Sequence, residues 1–195
     1  MKIIPIICSL LLVASAGAQT DVALFDRHIA AKGANIVQEF VSLLEIPNVA
    51  YDLPNINKNA QYIMREMTQR GVTTQLLEHP GVPPIVYGYL ASKKATRTLA
   101  FYVHYDGQPV DKTRWKHDPW TPKMYDKSLA EGGVEIPFPK EGEKIDPSSR
   151  IYARSAGDDK GPIIALLAAI DAMQAEGIEP TSNFVFFFEG QEEAG

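Results

Sequence analysis

The sequence predicts an α/β protein in which helices pack on a layered sheet, and two observations carry that expectation. Short apolar runs of strand length alternate with longer stretches whose apolar residues recur at helical spacing, and acidic residues gather at the ends of those runs. The stretch from Leu24 to Ile46 places Ile29, Ile36, Val37, Phe40, Val41 and Leu44 at helical spacings, and Pro47 stops it. A second helix is expected from near Asn57, with Ile63 and Met67 turned inward and Gly71 supplying a left-handed C-terminal cap. Extended segments follow at Val72 to Leu77, Ile85 to Leu90 and Leu99 to Tyr105, divided by Pro/Gly turns and the polar linker Ser92 to Thr98. The third is the most apolar, as a central strand would be. Pro162 to Glu176 reads as a buried helix through Ile163, Ile164, Leu166, Leu167, Ile170 and Met173, with proline in its first turn and Gly177 closing it. Asn183 to Phe188 is a short continuous apolar strand. In such a sheet, catalytic groups are expected at the carboxyl ends of the strands.

The first residues stand apart from this pattern. Lys2 precedes an apolar run from Ile3 to Val13 and small residues around Ala16-Gly17-Ala18, the layout of a secretory signal peptide over residues 1–18. The run is short for a membrane span, and no later stretch reaches spanning length, so export to a secreted or periplasmic location without a retained membrane anchor is expected. The single cysteine, Cys8, lies inside this segment, which leaves residues 19–195 with no disulfide framework and no cysteine nucleophile. Composition is that of an ordinary globular protein, 45% hydrophobic and 22% charged. Removing Lys2 takes the formal net charge from -5 to -6, and no Lys/Arg-rich run exceeds Lys93-Lys94, which argues against a nucleic-acid partner. About 175 residues suffice for one domain with its own core.

Three short segments carry the chemistry: His104-Tyr105-Asp106, Asp158-Asp159-Lys160-Gly161-Pro162 and Glu189-Gly190-Gln191-Glu192-Glu193. Each falls at a strand or helix end of the same expected sheet. Alone, His-x-Asp reads as a structural pair, Asp158-Asp159 as a helix cap and Glu192-Glu193 as a solvated loop. Together at one rim, three like-charged clusters repel unless a cation joins them. Imidazole nitrogen and carboxylate oxygen suit a divalent ion such as zinc, and two ions can share a bridging carboxylate. A carboxylate two residues from a strand histidine can fix the ring's tautomer. Of two adjacent glutamates, one can ligate while its neighbour handles a proton. His28, His79 and His117 read as surface or packing residues, and Trp115 and Trp120 as anchors of a loop.

The wording of these segments, with Gly107-Gln108-Pro109-Val110, Trp115, Asp118-Pro119-Trp120 and Tyr152-Ala153-Arg154-Ser155-Ala156-Gly157 around them, resembles a zinc peptidase family. Its members include carnosine dipeptidase, glutamate carboxypeptidase, acetylornithine deacetylase and succinyl-diaminopimelate desuccinylase. The resemblance is strongest to the dipeptidase branch and runs from about Ile29 to Gly195. It implies a three-layer α/β/α mixed sheet and two Zn2+ ions per complete site, with Co2+ or Mn2+ as possible substitutes. By the same resemblance His104 ligates one ion, Asp158 bridges both and Glu193 ligates the other, while Asp106 orients His104 and Glu192 is the general base. Asp159 would support the geometry, next to a cis peptide that the family often has between these two positions.

The implied substrate is a small peptide, with an N-acyl amino acid as runner-up and an inactive metal-binding or interaction module as the non-enzymatic alternative. Two departures from the family pattern stand out. Gly157 sits where Ser, Thr or Ala is usual, and Thr121 to Ser149 forms a longer stretch, read here as a surface loop. Relatives of the family continue past this point into a lid and dimerisation domain and often form homodimers. The expectation is therefore that residues 19–195 form the N-terminal part of a catalytic domain, incomplete at its C-terminus and inactive alone.

Overall fold

A computed structural model describes residues 22–195, so the signal-peptide expectation for 1–18 lies outside the described residues. Helix α1 covers Val22–Leu44 and α2 covers Leu53–Gln69. The second helix starts four residues earlier than Asn57, because Asp52 accepts a hydrogen bond from the Asn55 amide and Pro54 fits a first turn that needs no N–H donor. Strands β1 (Thr73–His79), β2 (Val82–Leu90) and β3 (Arg97–His104) follow. The Thr121 to Ser149 stretch is more ordered than a surface loop: β4 (Lys123–Tyr125) pairs antiparallel with β5 (Glu135–Ile136) and with β6 (Arg150–Tyr152) in a separate three-stranded sheet. Tyr125 and Met124 are buried there, and Tyr152 meets the Tyr125 ring edge-on. Helix α3 (Lys160–Ala175) and β7 (Ser182–Glu189) complete the described elements. Among them, no helix is long and apolar enough to cross a membrane.

The main sheet has the order β1-β2-β7-β3 and is mixed, with β1–β2 and β2–β7 antiparallel and β7–β3 parallel. This agrees with the α/β class. One face of the sheet presents Val86, Val103, Phe186 and Phe188 to Ile56, Ala60, Ile63 and Met67 of α2 and to Ile163, Ile164, Leu167 and Ile170 of α3, all buried in one core. Each of these side chains larger than alanine stabilises the fold by roughly 1.5–3 kcal/mol when fully buried. Gly88 leaves room for the end of the Met67 side chain of α2, since a Cβ there would lie 2.3 Å from the Met67 Cε and 3.0 Å from the Val72 Cγ1. Helix α1 packs along α3 rather than on the sheet, and Arg70 ties the three helices together through Asp171 (2.9 and 2.8 Å) and Glu39 (2.8 Å). Among the described residues these helices cover one face only. Tyr87, Tyr89, Phe187 and Tyr102 lie half-buried or exposed on the other.

Candidate metal centre

The parallel pairing of β3 and β7 builds the site. Its register sets His104 beside Glu189, and the Tyr105 amide donates to the Glu189 carbonyl at 2.7 Å, so the segments leaving both strands emerge side by side. The β3 exit carries His104 and Asp106. The β7 exit turns into a short 3-10 helix, Glu192–Ala194, that carries Glu192 and Glu193. The turn before α3 brings Asp158 to the same place, and a cis peptide joins Asp158 to Asp159, as the resemblance implied.

Every residue expected at the site converges there. One ligand atom each from His104, Asp158 and Glu193 lies within 4.8 Å of the others. The His104 Nε2 is 3.0 Å from the Asp158 Oδ1 and 3.9 Å from the Glu192 Oε2. On the ring's other side, Nδ1 faces the Asp106 Oδ1 at 3.4 Å, a charge contact too long for a good hydrogen bond. Asp106, fully buried, uses its two oxygens to accept the backbone N–H groups of Glu192 (3.1 Å) and Glu193 (2.9 Å). It therefore holds the loop that carries the other acidic groups as well as facing the histidine. Gln108 donates to the Glu193 carboxylate, and Tyr51 donates to the Ala194 carbonyl at 3.1 Å.

The electrostatics follow from this crowding. Burial works against a charged His104, yet the carboxylates of Asp106, Asp159, Asp158 and Glu192 outweigh it and raise its pKa above the ordinary histidine value. Burial raises Asp106, against the pull of the Glu193 amide and of His104. Asp159 is raised by burial too. An imidazole nitrogen 3.0 Å from a carboxylate oxygen needs a proton or a cation between them. With the Nδ1 proton directed to Asp106, Nε2 would be free to ligate, and the set of one imidazole and two carboxylates, with Glu192 beside it, fits a divalent ion of the zinc type. Asp158 and Glu193 are open to solvent to different degrees, Asp158 at 78% side-chain exposure, so the site is reachable from water.

Three structural residues were not foreseen. Asn48, fully buried, donates to the Tyr105 carbonyl, the residue between His104 and Asp106. Ser155 accepts from Asn48 at the start of the Asp158 turn. Lys160, also fully buried, donates to the Leu43 and Ile46 carbonyls at 2.8 and 2.9 Å and so ties the end of α1 to the start of α3, and burial lowers its pKa well below the usual lysine range. A lysine at the positive end of a helix opposes the helix dipole, and this was the one available sequence signal for it. Asp159 stands at the N-cap position of α3 but makes no side-chain cap bond, so the structure does not bear out the helix-cap reading of the Asp158-Asp159 pair taken alone.

Residues 100–195 match Peptidase family M20/M25/M40. The chain is 31% identical over 175 residues to the Cys-Gly metallodipeptidase DUG1 of Candida albicans, covering 82% of this chain and 32% of that one. It is 31% identical over 114 residues to the human Beta-Ala-His dipeptidase, covering 58% and 18%. Its fold superposes on the dipeptidase Dug1p of Saccharomyces cerevisiae with a TM-score of 0.68 at 23% identity, over 90% of this chain and 36% of that one. The chain thus spans about a third or less of the length of these relatives. The family match covers residues 100–195, which hold all three acidic segments, and the two dipeptidase relatives agree with it, so this part of the chain is similar to peptidase family M20/M25/M40.

Proposed function

We propose that this protein is an exported dinuclear zinc dipeptidase, hydrolysing the amide bond of dipeptides or short peptides. The observation that carries the reading is the convergence of His104, Asp158 and Glu193 within 4.8 Å at the shared exit of β3 and β7, with Glu192 alongside. His104 would hold one ion, Asp158 would bridge both and Glu193 would hold the second. When bound, zinc supplies Lewis acidity, which lowers the pKa of water and stabilises a developing oxyanion. The protein's own groups do the rest. Glu192, 48% exposed at the edge of the site, takes the proton of the attacking water and returns it to the leaving amine. Asp106 orients His104 from behind and fixes the Glu192–Glu193 backbone, so base and ligand keep their spacing while the proton moves. Export is supported by Lys2 and the apolar run that follows it. The dipeptide substrate class is supported by the relatives, one of which is a Cys-Gly metallodipeptidase and another a Beta-Ala-His dipeptidase.

The test compares the protein in its longest encoded form with its Glu192→Gln variant, measuring zinc by calorimetry and the hydrolysis of Cys-Gly and β-Ala-His. The variant is expected to keep its zinc and lose turnover by about a thousandfold, within the range for removal of a general base. Turnover that survives the substitution would exclude Glu192 as the base. Zinc binding with no hydrolysis in the unsubstituted protein would favour a metal-binding module over an enzyme.

A further inference from the structure

We infer that Asn48 and Ser155 form a positioning clamp for the metal centre, locking the β3 exit that carries His104 and Asp106 against the turn that carries Asp158. The inference rests on the reading of His104, Asp158 and Glu193 as a metal site. Neither clamp residue belongs to the ligand cluster, so both would act through the residues they hold.

The wiring around Asn48 is complete. Its amide nitrogen donates to the Tyr105 carbonyl at 2.8 Å and to the Ser155 Oγ at 2.9 Å. Its side-chain oxygen accepts from the Trp120 indole N–H at 3.3 Å, and its backbone carbonyl accepts the Gly107 amide at 2.9 Å. With both amide hydrogens and both oxygens engaged, one fully buried side chain joins the segment after α1, the His104–Gly107 segment, the Trp120 loop and the Asp158 turn. A leucine or alanine in its place leaves two buried acceptors and an indole donor without partners.

Ser155 completes the other half. Its backbone lies in the left-handed region at φ 62, where an ordinary side chain is disfavoured and glycine is at ease. Glycine would hold the same turn but has no hydroxyl for Asn48. The Ser155 carbonyl in turn accepts the Lys160 amide at 3.0 Å, closing the loop around Asp158 and Asp159. The segments are pressed together at this point: a Cβ on Gly107 would sit 2.3 Å from the Ser155 Oγ and 3.2 Å from the Asn48 Nδ2. The position therefore combines a left-handed serine, a neighbouring glycine and a saturated asparagine, and what they jointly fix is the spacing of His104 to Asp158.

The experiment is a cobalt(II) titration of the 195-residue chain, followed by visible absorption and calorimetry, on wild type, His104→Ala, Asn48→Ala and Ser155→Gly, with melting temperatures for each. Wild type is expected to bind and His104→Ala to lose binding. Asn48→Ala and Ser155→Gly are expected to weaken cobalt by about tenfold or more, the usual effect of removing a group that supports a ligand, and to shift the visible bands. The separating readout is Ser155→Gly: it gives up one hydrogen bond but sheds the left-handed strain, so its melting temperature should hold while its cobalt affinity falls. Should Asn48→Ala fail to fold, Ser155→Gly still decides. Unchanged cobalt affinity and spectrum in a folded Ser155→Gly overturns the clamp. If wild type takes up no cobalt, or His104→Ala binds as well as wild type, the metal-site reading itself fails and the clamp falls with it.

Discussion

Gly107 shows how tightly single residues are constrained beside the site. It follows the His104-Tyr105-Asp106 segment directly, and the nearest atoms to a Cβ there would be the Ser155 Oγ at 2.3 Å and the Arg154 Cδ at 3.1 Å. The first distance is one that real Cβ atoms do not show, so the Asp158 turn or the β3 exit must move. Gly107→Ala is accordingly expected to destabilise the fold by about 2 kcal/mol, the usual range for forcing a methyl group into a filled space. Chemical denaturation reads this directly, and an alanine variant as stable as wild type would mean that the two segments are not in contact. Asp106 makes a related point. Facing His104 at 3.4 Å, it makes its well-formed hydrogen bonds to the backbone of Glu192 and Glu193 instead. The His-x-Asp spacing pointed to the first contact, while the second depends on where β7 ends in space, which no local pattern reveals.

At the scale of elements, the three helices meet at Arg70, and the pH response of that junction follows from burial. Glu39 on α1 binds the Arg70 Nη2 at 2.8 Å, yet its other oxygen is buried without a hydrogen-bond partner among the described residues. Burial raises the Glu39 pKa above 4.5, with Glu66 and Asp171 adding to it, against the attraction of Arg70. A carboxyl that holds its proton more tightly when folded than when unfolded gives the folded state an advantage at acid pH, and that advantage is lost as pH rises from about 4.5 through the raised value. Glu39→Gln cannot ionise and escapes this loss. Melting curves of the two proteins should therefore lie closest at pH 4 and separate toward neutrality in favour of the variant, and a gap that narrows with pH would reverse the assignment. The helices and strands themselves were legible in sequence because apolar spacing reports burial on one face. α3 and β7 are recovered within a few residues for this reason. The β4–β5–β6 sheet was not, since strands of two or three residues carry too few positions for a period to show. The site's acidic residues were legible for a different reason: they cluster in sequence at element ends. Lys160 and Ser155 stand in or beside the Asp158 segment and Asn48 in none of the three, yet no local pattern gives their partners, and only the close approach of three segments reveals what they do.

For the whole molecule, the consequential feature is the position of β3. It stands at the edge of the main sheet among the described residues, with Leu99 at 41% and Tyr102 at 54% exposure, although its composition had suggested a central strand. One of its sides is held by β7 through the parallel ladder that builds the candidate metal centre; the other, among the described residues, is an unpaired row of backbone donors and acceptors next to an exposed aromatic surface. Such an edge is a template for pairing with another chain. Lysine at an edge position opposes that pairing without touching the core, so Leu99→Lys should reduce concentration-dependent association of the 195-residue chain, measured by light scattering. Its stability should stay within about 0.5 kcal/mol of wild type, as for most surface substitutions. Since Leu99 lies five residues before His104, cobalt binding should also be unchanged, which separates an effect on the free edge from damage to the ladder. If association persists at the wild-type level while the fold and the metal site are intact, the β3 edge is not the surface through which copies of the chain meet.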